Sequence, residues 1–548
     1  MTVPPIDVTS ATEYPSDQEA SDQEASGQEA AASELERRRN LDGSRRSQIT
    51  YVTGTALVAL LFLMVIARRS LAIDFYFDEM WRYDMVRDAS PRARALLHDT
   101  PIPPGWLYAM HYLLAPLPAS RSLARAATLI PAAVGLAFLA DSLRMIAQRS
   151  GVLRGHARLI AALSVWAACC IPAIAAVSVY FNNYGVELLG GALLIWAAAR
   201  VQLRGARPTA LLTVAVVLPL FTQGALLMTP AIILLWRRGH LPISRRTAAV
   251  ALAALVATVG VVWVFFYRPL TSGNLVNYWS DERFGVGGAW SFITHFASQF
   301  NSAFAASRDQ SVGALAVAAT VVALTVGAVV VARGCWSFLA FVVAGQLGAI
   351  VASVVVAWPS TPVRVNLAFI APIATLIPFG ALMLVWRALH DRAGNRFVAP
   401  IASLALTAAM VPLMWPTSII GNATASTTFA RGLTEDLRVV ANLSGSRVIV
   451  VGYHPMTHWY VDDVFRHDPP HPMDVTVLRE TVDGLLYTHL DQLVGDVLLP
   501  GTEVWCVVPY EVGPDATARA CDLKLPTLTE FYRERMGRAL IIGLRSEP

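Results

Sequence analysis

Between Tyr51 and Met414 the chain is a succession of apolar runs. Most approach the roughly 20 residues that an α-helix needs to cross the hydrocarbon layer of a bilayer. They are Tyr51 to Ala67, Leu123 to Ala147, Leu159 to Val179, Val186 to Ala199, Ala210 to Phe221, Gly224 to Trp236, Ala248 to Phe266, Val312 to Val331, Trp336 to Ala357, Leu367 to Trp386 and Val398 to Met414. The charged share of 15% lies well under the roughly 25% of a soluble globular chain. These runs predict a mainly α, polytopic helical membrane protein.

The two short runs flanking Thr222 and Gln223 are either one long helix or two short ones, and the loops decide between them. With two, the arginine-bearing connections Gln148 to Arg158, Arg200 to Arg207, Arg237 to Arg246, Arg333 and Arg387 to Arg396 all fall on one side. With one, the sidedness inverts halfway and the positive-inside rule fails repeatedly. About 11 transmembrane helices are therefore expected, with the N-terminus cytoplasmic and the C-terminal part outside.

Residues 1–48 form an expected disordered cytoplasmic tail. The segment contains the near-repeat SDQEA, SDQEA, SGQEA from Ser16 to Ala30 and too little apolar surface to offset ordering entropy. The basic run Glu36 to Arg46 precedes the first apolar run, and no signal-peptide pattern is read there. The membrane domain is expected over 49–415, with external loops at about 71–121 and 267–310. Within the second loop, Gly287 to Phe304 has apolar and aromatic residues at helical spacing, which predicts a helix lying flat at the interface. The net charge of +4 sits largely in short loops, so it reports topology and not nucleic-acid binding. Lys524 stands almost alone among arginines, the usage of a GC-rich genome such as an actinobacterium's.

From about Pro416 the period changes. Helical spacing over Thr428 to Leu443 and Thr481 to Leu498 alternates with strand patterns at Arg447 to Tyr453, Glu503 to Tyr510 and Ala539 to Leu544. A small C-terminal α/β extracytoplasmic domain over 416–548 is expected. If it is external, Cys506 and Cys521 are expected to form a disulfide. His454, His458, Asp462, Asp463, His467, Asp468 and His471 crowd one short stretch of it. Two readings stand there, a metal site and a solvated Pro-rich loop; no HExxH accompanies the cluster.

The stretch Leu71 to Trp106 carries the candidate chemistry. Asp78 and Glu79 are adjacent carboxylates between two apolar runs, followed by Arg82 and Tyr83 and a Pro-rich exit. Acids beside the apolar layer are costly and tend to mark function, although an ordinary polar loop is the plainer reading. Neighbours on a helix point about 100° apart, so one acid is expected to face a cavity as general base. The other is expected to fix the loop or hold a cation. Arg82 either pairs with an acid or binds a phosphate. Arg364 enters an apolar run and is expected either to bind a donor phosphate or to snorkel to the headgroups. Tyr184 and Glu187 are placed to line the cavity, with Tyr83 beside them, and an interfacial belt is the other reading for the tyrosine.

Asp78, Glu79, Arg82 and Tyr83, then Pro103, Pro104, Trp106 and Tyr108, then Ser120 to Ile146 resemble the first external loop and second helix of the GT-C superfamily glycosyltransferases. The pattern is most similar to that of the protein O-mannosyltransferase and lipid A aminoarabinose transferase group. Phe181 to Ala199 and, more faintly, Pro362 to Ile377 continue the likeness. The resemblance implies a glycosyltransferase with Asp78 as catalytic base or acceptor-positioning acid. One extra residue between Glu79 and Arg82, and Gly105 after the Pro-Pro pair, depart from the group's pattern. No nucleotide sugar is expected outside the cytoplasmic membrane, so the expected donor is a polyprenyl-phosphate sugar within the membrane lipid and the expected acceptor a cell-envelope glycan, lipid or protein. Cofactor use is open, a divalent metal ion included. A polyprenyl-lipid or solute carrier without bond chemistry is the alternative.

Overall fold

The computed structural model describes residues 47–66, 77–97, 101–118, 120–171, 174–175, 178, 180–270, 284, 289–304, 314–356, 358–360, 364–390, 400–408, 434–452, 464–465, 470–479, 502–509, 528–536 and 539–546. The chain is mainly helical, with a small C-terminal sheet. Among the described residues six helices are long and apolar enough to cross a membrane, and three shorter apolar ones accompany them over Thr209–Leu220, Gly224–Arg237 and Ala318–Gly334.

The first long helix, α1, is Ser47–Ile66. Three short helices follow, α2 (Phe77–Arg87), α3 (Pro91–Leu97) and α4 (Pro104–Leu114), in the expected first loop. α4 begins on Pro104, where a missing N–H costs nothing because no helical partner awaits it. α5 (Arg121–Arg149) is capped by Ser120, whose hydroxyl accepts from the Leu123 amide. α6 (Arg154–Cys169) starts earlier than its apolar run suggests and ends at Cys169, short of the expected Val179. α7 (Tyr184–Arg204) terminates at Gly205, whose φ of 61° is the left-handed conformation a helix C-cap favours.

The chain breaks at the point left open by the apolar pattern. α8 (Thr209–Val217) and a 3-10 turn end at Leu220, and a second 3-10 turn (Gly224–Met228) leads into α9 (Pro230–Arg237), so the two short runs are separate helices. α10 (Arg245–Val262) exposes Val250, Leu252, Val256 and Val261, an apolar exterior that fits a hydrocarbon solvent. α11 (Ala289–Phe304) is the loop helix, and α12 (Ala314–Gly334), α13 (Trp336–Val356) and α14 (Leu367–His390) complete the apolar series. Helical residues 400–408 lie within the last apolar run.

Small residues let the apolar helices approach closely, as in membrane bundles generally. At Gly191 of α7 a Cβ would overlap the backbone carbonyl of Ala368 at the start of α14. α5 and α7 run side by side in the same direction, with Thr128 against Gly185 at one end and Gln148 bonded to Arg204 at the other.

Among its described residues the tail has a helix over 434–443 and five strands, β1 (Arg447–Gly452), β2 (Asp474–Arg479), β3 (Glu503–Pro509), β4 (Leu528–Met536) and β5 (Ala539–Ser546). Their order is β2-β1-β3-β5-β4. β1 pairs in parallel with β2 and β3, whereas β5 runs antiparallel to β3 and β4. Two strands, β2 and β4, were not expected from the sequence pattern, and the expected helix over Thr481 to Leu498 lies outside the described residues. Cys506 is a free, buried thiol in β3; its expected partner Cys521 lies outside the described residues. So does the His/Asp cluster except for His471, and no group of three metal-ligating side chains occurs among the described residues.

Two apolar cores result. One fills the helix bundle. The other joins Tyr83 and Trp106 of the first-loop region, and Phe181 just before α7, to Leu437 and Val440 of the tail helix and to Val448, Trp505 and Ile541 of the sheet. The first loop is thereby packed as part of a folded core.

Candidate active site

The first turn of α2 is locked by its second acid. Arg125 of α5 donates from Nε to Glu79 Oε1 at 2.8 Å and from Nη2 to Oε2 at 2.7 Å. Glu79 Oε1 also accepts the Phe181 amide at 2.8 Å. The carboxylate is 1% exposed and the guanidinium side 4%, so this is a desolvated, two-pronged charge pair, the geometry for which arginine is suited. It ties α2, α5 and the segment leading into α7 together. The backbone places Asp78 immediately before this clamp, at the second position of α2.

Arg82 follows one turn later and is buried. Tyr83 is buried too, with its ring edge-on to Phe181 at 5.7 Å. Its phenol oxygen accepts the Ser120 amide at 3.0 Å, so Tyr83 holds the entry to α5. Farther along α2, Arg87 donates to the carbonyls of Leu114 and Leu117. Arg92 of α3 donates to the Phe265 carbonyl at 3.2 Å, beyond the end of α10.

A second buried carboxylate organises the helix break. Glu187, in the first turn of α7, accepts from the Gln223 amide at 2.6 Å, the Gly224 amide at 2.9 Å and the Ala225 amide at 3.2 Å. Asn183 Nδ2 donates to it at 3.0 Å. Those amides begin a 3-10 turn and have no helical partner of their own, and the carboxylate supplies one. Gln223 in turn donates from Nε2 to the Tyr267 hydroxyl at 2.8 Å and to the Pro101 carbonyl at 3.4 Å. Glu187 thus fixes a loop junction and does not open into an unsatisfied cavity. Tyr184, 6% exposed, is packed in the bundle core one turn before it.

Arg364 opens the 3-10 turn Arg364–Asn366 that leads into α14. The turn is rigid: Asn366 accepts from Trp358 Nε1 and donates from Nδ2 to the Pro359 and Ser360 carbonyls, each at 3.0 Å. It abuts the Glu187 junction, since a Cβ on Gly224 would lie 2.8 Å from the Val365 carbonyl oxygen and 3.3 Å from Glu187 Oε2. A Cβ on Gly105 would meet the Leu220 carbonyl at 2.7 Å, so the small residue after Pro104 lets α4 pack on the same junction. Polar contacts thus step from Glu79 to the Phe181 amide and, two residues on, from Asn183 to Glu187 and the Gly224 amide, which abuts the Arg364 turn; together they form a polar seam.

α11 shows that the stretch expected to be helical within the second loop is a helix, and it buries polar side chains while exposing apolar ones. Trp290 and Ile293 are exposed, while His295 and Gln299 are buried. Gln299 donates to the Ser360 carbonyl at 2.6 Å, which pins α11 to the Arg364 turn. His295 packs edge-on to Phe284 and Phe296, and burial lowers its pKa below the ordinary histidine value.

Sequence reasoning missed Arg125, although it carries the signal used for Arg364: an arginine inside an apolar helix needs a partner. Gln223, Asn366, His295 and Gln299 carry no such signal, because none is an obligate charge set inside an apolar run that would demand a partner.

No family model matches the sequence, and no curated protein matches it by sequence. Among solved structures the chain is similar to the oligosaccharyltransferase of Archaeoglobus fulgidus in complex with zinc and sulfate, at 12% identity and a TM-score of 0.45, over 88% of this chain and 73% of that one. It is also similar to ArnT from Cupriavidus metallidurans bound to undecaprenyl phosphate, at 16% identity and a TM-score of 0.41, over 90% of this chain and 98% of that one.

Proposed function

We propose that this chain is an integral membrane glycosyltransferase that moves a sugar from a polyprenyl-phosphate-linked donor to a cell-envelope acceptor outside the cytoplasm. The observation that carries the reading is the Glu79–Arg125 clamp. It fixes the helical turn bearing Asp78 at one rim of the bundle, next to Arg82 and at one end of the polar seam that reaches the Arg364 turn. A base works by being held in place before its substrate arrives, and a clamp of this kind supplies that. In the proposed reaction Asp78 takes the proton from an acceptor hydroxyl or amine as that atom attacks the anomeric carbon. The bond from the anomeric carbon to the phosphate oxygen breaks, and the electron pair leaves on the polyprenyl phosphate, whose charge Arg82 and Arg364 offset. Glu79 acts as a positioning residue in this scheme. The C-terminal sheet, sharing a core with the first loop, serves acceptor recognition or covers the site.

A carrier without bond chemistry is favoured by one observation, the broken helix between Leu220 and Gly224 beside the buried Glu187. Transporters place such breaks near the bilayer midplane. Here the break adjoins Pro101 and Tyr267, at the end of α10 where the first loop packs, which supports the transferase. Proteoliposomes loaded with labelled polyprenyl-phosphate sugar separate the two. A transferase yields label covalently attached to an acceptor and free polyprenyl phosphate, whereas a carrier yields relocated donor with its sugar still attached.

A further inference from the structure

The end of the α5–α7 pair remote from Glu79 gathers positive charge. Nineteen helical residues separate Arg125 from Arg144 in α5, a rise of about 28 Å, which is close to the thickness of the hydrocarbon layer. Arg144 therefore sits at the opposite interface from the candidate active site. It is anchored there by Asp141, which is fully buried and accepts from Arg144 Nη2 at 2.6 Å and from Trp196 Nε1 of α7 at 2.9 Å. Arg200 lies over the Trp196 ring at 4.9 Å from its centroid. Arg204 donates to Gln148 at 3.3 Å and lies within the electrostatic reach of Arg144, Arg154, Arg200 and Asp141.

Among the described residues, Arg144, Arg154, Arg200 and Arg204 thus lie at this end of the α5–α7 pair with Asp141, and that carboxylate is engaged by Arg144 and Trp196. The adjoining connections, Gln148 to Arg158 and Arg200 to Arg207, contain arginines and no acid. The turn between α12 and α13 closes this end of the bundle: Cys335 and Ser337 both donate to Gln202 of α7, and Gly334 packs on Ile146. It brings no carboxylate of its own. Arg144 is fixed and buried, while Arg200 is half-buried and Arg154 and Arg204 are exposed. The charge excess is built at headgroup depth, and a phosphate monoanion matches guanidinium groups in both charge and fork geometry.

We propose that Arg200, Arg204 and Arg154, set on the Asp141–Arg144–Trp196 anchor, bind the headgroup phosphate of an anionic phospholipid at the bilayer face opposite the candidate active site. Basic pockets between transmembrane helices at an interface are suited to such lipids. The site is independent of the reading of the other rim.

Native mass spectrometry of the purified full-length protein with phosphatidylglycerol or phosphatidylcholine tests it. Wild type is expected to retain phosphatidylglycerol preferentially, and the Arg200→Gln/Arg204→Gln variant to lose that preference by about thirtyfold, the order expected for two interfacial arginines. Arg237→Gln/Arg238→Gln removes the same charge at another connection and is expected to leave retention unchanged. Equal retention by wild type and the Arg200/Arg204 variant overturns the proposal, as does equal loss in both double variants. Thermal stabilisation by inorganic phosphate alone, matching that by phosphatidylglycerol, overturns the lipid assignment in favour of a soluble anion. Unchanged helicity of each variant by circular dichroism excludes misfolding as the cause.

Discussion

Arg125 holds Glu79 through two guanidinium nitrogens across 46 residues of sequence, at 2.8 and 2.7 Å, with both side chains almost fully buried. Such a pair is worth little relative to apolar substitutes, yet breaking it by removing one partner strands a buried charge. Glu79→Ala is expected to destabilise the protein by about 3 to 5 kcal/mol, and Glu79→Leu combined with Arg125→Met to recover most of that loss. Thermal unfolding in detergent measures both. A Glu79→Ala variant as stable as wild type contradicts the clamp.

The Glu187 carboxylate collects three amides at the helix break. Charged hydrogen bonds of this type are each worth about 1.5 to 3 kcal/mol. Glu187→Ala is expected to free the Gln223, Gly224 and Ala225 amides, and their hydrogen exchange to accelerate well beyond that of α14. Exchange at these three positions equal to that of wild type contradicts the role assigned to Glu187.

His295 makes stability depend on pH in a definite direction. Burial lowers its folded-state pKa, so below the unfolded value of about 6.5 the unfolded chain binds more protons at this site. Its stabilising contribution is therefore full above that pH and declines as pH falls toward the folded pKa. His295→Phe is expected to flatten the acid limb of a stability-versus-pH curve below about pH 6.5. Identical acid limbs for the two proteins contradict the assignment.

The helical bundle was legible because its signal is composition summed over some twenty residues at a time, and the break near Thr222 was legible because arginines mark the connections. The sheet was half legible. β1, β3 and β5 are interior, and their continuous apolar runs announce them. β2 and β4 are the two edges, and β4 reads LTEFYRERM with Glu530 and Arg533 exposed and paired, the charged character by which edges avoid aggregation. In the candidate site, Asp78 and Glu79 stood out as acids beside an apolar layer, but their division of labour did not. It depends on Arg125, Phe181 and the fold that brings them together. The adjacency of the Arg364 turn to Glu187 rests on Gly224 and Asn366, which carry no charge to draw notice.

The proposed role of Asp78, set by its clamped neighbour, is that of base in a sugar transfer. The direct measurement is transfer of radiolabelled sugar from polyprenyl-phosphate donors to endogenous membrane acceptors, comparing wild type with a folded, membrane-inserted Asp78→Asn variant. Wild type is expected to transfer the sugar and the variant to lose about a hundredfold or more, the range for removing a general base. Transfer by Asp78→Asn at the wild-type rate contradicts it.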